Sequence, residues 1–124
     1  MLARSAVLML AVLWASLPVV AGPPAVLDVK ASPNGDGSYS FSVTIKHKDT
    51  GWKHYANKFD VMTLDGKTLG TRVLYHPHVN EQPFTRSLGR VEVPIGINEV
   101  VVRAHDLVHK YGKRTMTVKL PPRR

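Results

Sequence analysis

The chain has 124 residues, no cysteine, and 17 Lys+Arg against 9 Asp+Glu, a formal net charge of +8. That length holds one domain, and the missing thiol excludes disulfide stapling, thiolate metal ligands and lipid attachment through a cysteine of these residues. The positive balance favours anionic partners, such as an acidic protein or a small anion; without a recognition motif beside it, it argues against nucleic acid.

Met1 to Ala21 reads as a secretory signal peptide: Arg4 supplies the positive start, Ala6 to Leu17 is almost wholly apolar, and Val19-Val20-Ala21 is a small-residue cleavage signature. The apolar run is short for a bilayer span and Pro18 interrupts it. Cleavage is therefore expected, with no stable membrane insertion afterwards and a periplasmic location, or failing that secretion into the medium. Residues 22–124 are left as a single domain.

Gly22-Pro23-Pro24 is an extended lead-in, since proline cannot occupy a helix interior. Ala25 to Ala31 reads as a first strand, ended by the turn signals of Asn34-Gly35-Asp36-Gly37. Those two acids do not make a calcium loop, because the terminal glutamate is missing. Ser38 to Lys46 then alternates strictly, with Tyr39, Phe41, Val43 and Ile45 on one face and serine, threonine and lysine on the other. That period of two predicts a half-buried strand. A loop follows with His47, Trp52, His54 and Tyr55. Phe59 to Met62 and Thr68 to Tyr75 are predicted to pair across Asp65-Gly66. His76 to Pro83 is a second loop, Phe84 to Leu88 and Glu99 to His105 are strands, residues 106–114 are a third loop, and Thr115 to Leu120 closes the sheet. Seven short strands without a helix predict an immunoglobulin-like β-sandwich.

Antiparallel strands deliver alternate loops to opposite poles, and this count places all six histidines of the chain at one end. Neutral imidazole is the commonest metal ligand and suits iron, copper, nickel and zinc. The expected metal site therefore draws on His47, His54, His76, His78 and His109. Asp106, His105 and Arg72 are its expected neighbours, and Asp49 is a further carboxylate able to fix an imidazole tautomer. Trp52 and Tyr55 read as loop aromatics folded on the core edge. No serine–histidine–acid set is persuasively spaced and no glycine-rich phosphate loop is present, so no reaction and no catalytic residue is assigned.

The segment His47…His54-Tyr55-Ala56-Asn57-Lys58-Phe59, followed downstream by Asp106-Leu107-Val108-His109, resembles the iron-site domain of superoxide reductases (desulfoferrodoxin-type). The resemblance implies an immunoglobulin-like sandwich, with His47, His54 and His109 at ligand positions and iron or copper rather than zinc as the expected metal. Asp106 stands where that family has its cysteine, and its further N-terminal histidine has no counterpart between Gly22 and Lys46. The chain also resembles small exported bacterial proteins of unassigned function with similar Gly-Trp-x-His-Tyr, His-Pro-His-Val-Asn-Glu-Gln-Pro-Phe and His-Asp-x-Val-His segments. Redox chemistry or metal carriage is the function these resemblances imply. An adaptor gripping an acidic partner or small anion is the alternative.

Overall fold

The computed structural model describes residues 22–124; the expected signal peptide lies outside the described residues. Eight strands form within them: β1 Ala25–Pro33, β2 Ser38–Lys46, β3 Ala56–Met62, β4 Thr68–Val73, β5 Phe84–Glu92, β6 Glu99–Asp106, β7 Lys110–Tyr111 and β8 Met116–Lys119. All pairings between them are antiparallel. One sheet has the order β1-β2-β5, and the other β4-β3-β6 with both β7 and β8 along the free edge of β6.

Alternation along the strands builds the core between the two sheets. On β2, Tyr39, Phe41, Val43 and Ile45 are buried while the intervening serines and threonine are half-exposed. They meet Phe59 and Val61 of β3, Phe84 and Val91 of β5, and Val100, Val102 and Ala104 of β6 in one apolar cluster. Burying a side chain of the size of Phe41 or Ile45 stabilises by roughly 1.5–3 kcal/mol, and no disulfide contributes.

The eighth strand is a departure from the expected seven. Lys110 and Tyr111, expected in a loop, pair with Asp106 and His105. Lys110 adopts φ 65°, the left-handed conformation that reverses the chain so soon after β6. Gly112 follows, where a Cβ would stand 1.9 Å from the carbonyl oxygen of Pro24. Only glycine allows the lead-in segment to lie so close. β3 and β5 also run longer than expected: β3 begins at Ala56, paired with Asp106, and β5 continues through Gly89 and Arg90 to Glu92.

The registers define two poles. Lys46 lies opposite Ala25 and Ile45 opposite Phe84 in the first sheet, while Ala56 lies opposite Asp106 and Lys58 opposite Val73 in the second. Loops 47–55, 74–83 and 107–109 therefore share one end of the molecule.

Candidate metal centre

Asp106 ends β6 completely buried, at 0% exposure. Its Oδ1 accepts from the backbone N–H of Val108 at 2.9 Å and from that of His109. This local turn satisfies one carboxylate oxygen and aims the other at the pole. Around Oδ2 stand three imidazole nitrogens: His47 Nε2 at 2.9 Å, His109 Nδ1 at 3.0 Å and His54 Nε2 at 3.1 Å. His47 comes from the residue after β2, His54 from the turn before β3 and His109 from the turn after β6, so both sheets supply the cluster. One ligand atom each of His47, His54 and Asp106 falls within a mutual 4.8 Å.

The loop that presents His54 is a tight turn. His54 N donates to the Gly51 carbonyl at 3.2 Å and Thr50 N to that of His54 at 3.1 Å. Gly51 has φ 145°, a value that favours glycine. Exposure of the imidazole side chains rises across the cluster, from 0% at His47 through 14% at His54 to 33% at His109. The open side of the cluster is therefore the His109 side.

A second buried carboxylate lies behind the first. Asp49 Oδ1 accepts from His47 Nδ1 and from the backbone N–H of Ala56 at 3.0 Å, while Oδ2 accepts from the N–H of His78 at 2.6 Å. Asp49 thereby orients His47, starts β3 and ties down the 74–83 loop. Gln82 completes the brace: its Oε1 accepts from His47 N at 3.0 Å and its Nε2 donates to the His78 carbonyl at 2.8 Å. An isolated glutamine in a loop carries no sequence signal, and the reading from sequence alone missed it. Asp49 was legible there only as a further carboxylate.

Charge follows from this packing. Burial alone would depress the His47 pKa, but the bonds and charges of Asp49 and Asp106 outweigh it and hold the imidazole above its ordinary 6.5. Burial pushes the carboxyl of Asp106 upward, yet its bonds to the side chain and backbone of His109 and to His54 overcome that and leave it far below the usual range. Asp49 is likewise depressed against the pull of burial, chiefly by His47 and by the N–H groups of His78 and Ala56. Without an ion, the two carboxylates favour the protonated form of His47. With one, the proton on Nε2 is replaceable while Nδ1–H stays on Asp49, the arrangement in which a carboxylate fixes a metal-ligating imidazole.

The other expected site residues stand around the Asp106 cluster or away from it, not among its three imidazoles. His78 is buried against the face of Phe84 at 4.1 Å, with Nδ1 3.9 Å from Asp49 Oδ2. Neither of its ring nitrogens has a hydrogen-bond partner, and burial, Arg86 and His76 keep its pKa below 6.5. His76 lies over His78 at 4.8 Å on the outside. Both belong to the Asp49 side of the site. His105 points to the outer face of the second sheet, bonding Asn57 Oδ1 at 2.6 Å, as a neighbour of Asp106 on a strand must. Arg72 reaches from β4 to the Ser87 carbonyl of β5 at 3.0 Å.

The chain is 46% identical over 93 residues to a protein of Halomicrobium mukohataei named "Putative lipoprotein", an alignment covering 75% of this chain and 45% of that protein. The chain thus spans less than half the length of that relative. No family model matches the chain, and no solved structure matches it.

Proposed function

We propose that this is an exported protein whose immunoglobulin-like sandwich holds a transition-metal ion at one pole, for redox chemistry or for metal carriage. One observation carries the reading: the three imidazole nitrogens within 3.1 Å of a single buried carboxylate oxygen, Asp106 Oδ2. Ligand atoms about 2.1 Å from one ion and near right angles to each other are about 3 Å apart, so small shifts admit an ion among them. His47, His54 and Asp106 form a two-histidine, one-carboxylate set, a donor set used for iron(II). His109 is positioned to join it, and His76 and His78 support it from the Asp49 side. Iron or copper is the proposed metal, and the carboxylate in place of a thiolate changes the electronics that superoxide reduction relies on.

Export is supported by the leader-like first 21 residues and by the relative named as a lipoprotein; a periplasmic location is the reading we adopt. The immunoglobulin-like type is supported by the strand partition, with β1-β2-β5 facing β4-β3-β6-β8. Titration of the purified chain with Fe²⁺, Cu²⁺ and Zn²⁺ tests the metal reading. One ion per chain is expected, with binding lost in His47→Ala/His54→Ala; equal binding by that variant overturns it.

A second reading is favoured by one further feature. A cavity of about 510 Å³ lies beside His109, lined by Tyr111, Lys113, Arg114 and the Pro23–Ala25 lead-in. Its two cations, with no acid among the lining residues, suit a small anion. Binding through this cavity alone would weaken with salt and survive chelators, the reverse of the metal reading.

A further inference from the structure

The histidine pole carries a surface that the metal reading does not use. Trp52 is 67% exposed and Tyr75 77%, and Val79 and Val108 are exposed beside them on three separate loops. Trp52 meets Tyr55 edge-on at 5.9 Å. The same loops and the adjoining β7 hairpin bear Lys48, Lys53, Lys110, Lys113 and Arg114, all exposed. Their acids are withdrawn from the surface: Asp49 and Asp106 are buried, and exposed Glu81 is paired with Arg86 at 3.2 Å. The opposite pole also exposes apolar side chains, Leu64 and Ile95. There, however, exposed Asp36, Asp65 and Glu92 are mixed with exposed Lys67 and Arg90, so the charge around them is not of one sign.

We infer that the histidine pole docks on an anionic lipid bilayer surface. Single aromatic and aliphatic side chains on separate protruding loops, ringed by lysines, match the headgroup region. There Trp and Tyr bury an apolar body with a wet edge, and lysine ammonium groups meet lipid phosphates. Tips of this kind can enter a deformable lipid surface. The chain's direction agrees: β1 starts at this pole, with Ala25 opposite Lys46. The Gly22–Pro24 lead-in of the exported chain therefore emerges on the side that faces the bilayer. The inference does not depend on a metal.

Co-sedimentation of the exported chain with phosphatidylglycerol/phosphatidylcholine vesicles, against phosphatidylcholine alone, tests it. Partition at least about tenfold stronger onto the anionic vesicles is expected, falling with added salt. Trp52→Ser/Tyr75→Ser and, separately, Lys48→Glu/Lys53→Glu should each lose about tenfold or more, while Leu64→Ser/Ile95→Ser partitions as the parent does. Thermal melting of each variant confirms folding, and the two independent pole variants protect the test against one that fails to fold. Equal partition onto both vesicle types, parent-like binding by the pole variants, or an equal loss in the Leu64/Ile95 control overturns the inference. Capture of an acidic protein by this pole without vesicle partition also overturns it.

Discussion

Two buried aspartates, Asp106 and Asp60, show how similar burial serves different chemistry. Asp60 lies on the outer face of β3, 2% exposed. It accepts from Thr71 Oγ1 at 2.7 Å, Tyr111 O–H at 2.7 Å and Arg103 Nε at 3.1 Å. Arg103 also stacks over the Tyr111 ring at 3.6 Å. Guanidinium and hydroxyl groups are donors here and guanidinium has no lone pair to offer a metal, so this cluster joins β3, β4, β6 and β7. Asp106 is surrounded instead by imidazoles, each able to exchange a ring proton for an ion. Burial places both carboxylates at the same energetic risk; the partners decide which one could hold an ion.

Exchanging partners breaks the comparison most sharply. Asp106→Ala should lower metal affinity by more than about 100-fold, beyond the loss expected when only an outer partner is removed. Asp60→Ala should leave metal affinity within about twofold but destabilise the fold by about 3 kcal/mol, because it strands Arg103. Calorimetric metal titration and denaturant unfolding of the two variants check both outcomes. If Asp60→Ala abolishes metal binding and Asp106→Ala does not, the assignment of roles is reversed.

Asp49→Asn keeps the volume but removes the carboxylate acceptor from His47 Nδ1, and metal affinity should fall by about 10–100-fold. The pH dependence sharpens the same point. His47 is raised above 6.5, so its contribution to metal-free stability is full below that value and is lost as pH rises through the folded pKa. Asp49 and Asp106 are depressed below 3.8, so their contributions hold above that value and are lost as pH falls through their folded pKa values. Above about pH 7, where His78 and His105, both held below 6.5, have largely lost their protons, the Tm of the metal-free protein should therefore fall, while the Tm increment on adding metal grows as the competing proton leaves. Thermal melts with and without metal across that range read both slopes; parallel curves would contradict the exchange of proton for ion. The smallest effect is expected at Tyr111→Phe, about 1 kcal/mol from losing one donor to Asp60, with metal affinity unchanged.

Much of the frame was legible in the residues. The Tyr39-to-Ile45 alternation located β2, and antiparallel delivery of loops gathered the histidines at one pole. Burial and facing within that pole were less legible. Asp106 was expected beside the ligands, but its place among three imidazoles depends on the backbone turn at Val108 and His109, which no spacing encodes. His105 and Asp106 are adjacent on one strand and must face opposite ways, a parity that separates His105 from the cluster. The brace through Gln82 joins residues 35 positions apart, and β7 depends on a left-handed Lys110 that composition alone does not reveal.

X-ray absorption of the chain loaded with one equivalent of Fe²⁺ or Cu²⁺ tests the centre most directly. A first shell containing two or three imidazole nitrogens and a carboxylate oxygen, with nitrogen scattering reduced in His47→Ala/His54→Ala, is the predicted result. A shell of oxygen alone, or one unchanged by that substitution, would contradict a metal centre at Asp106.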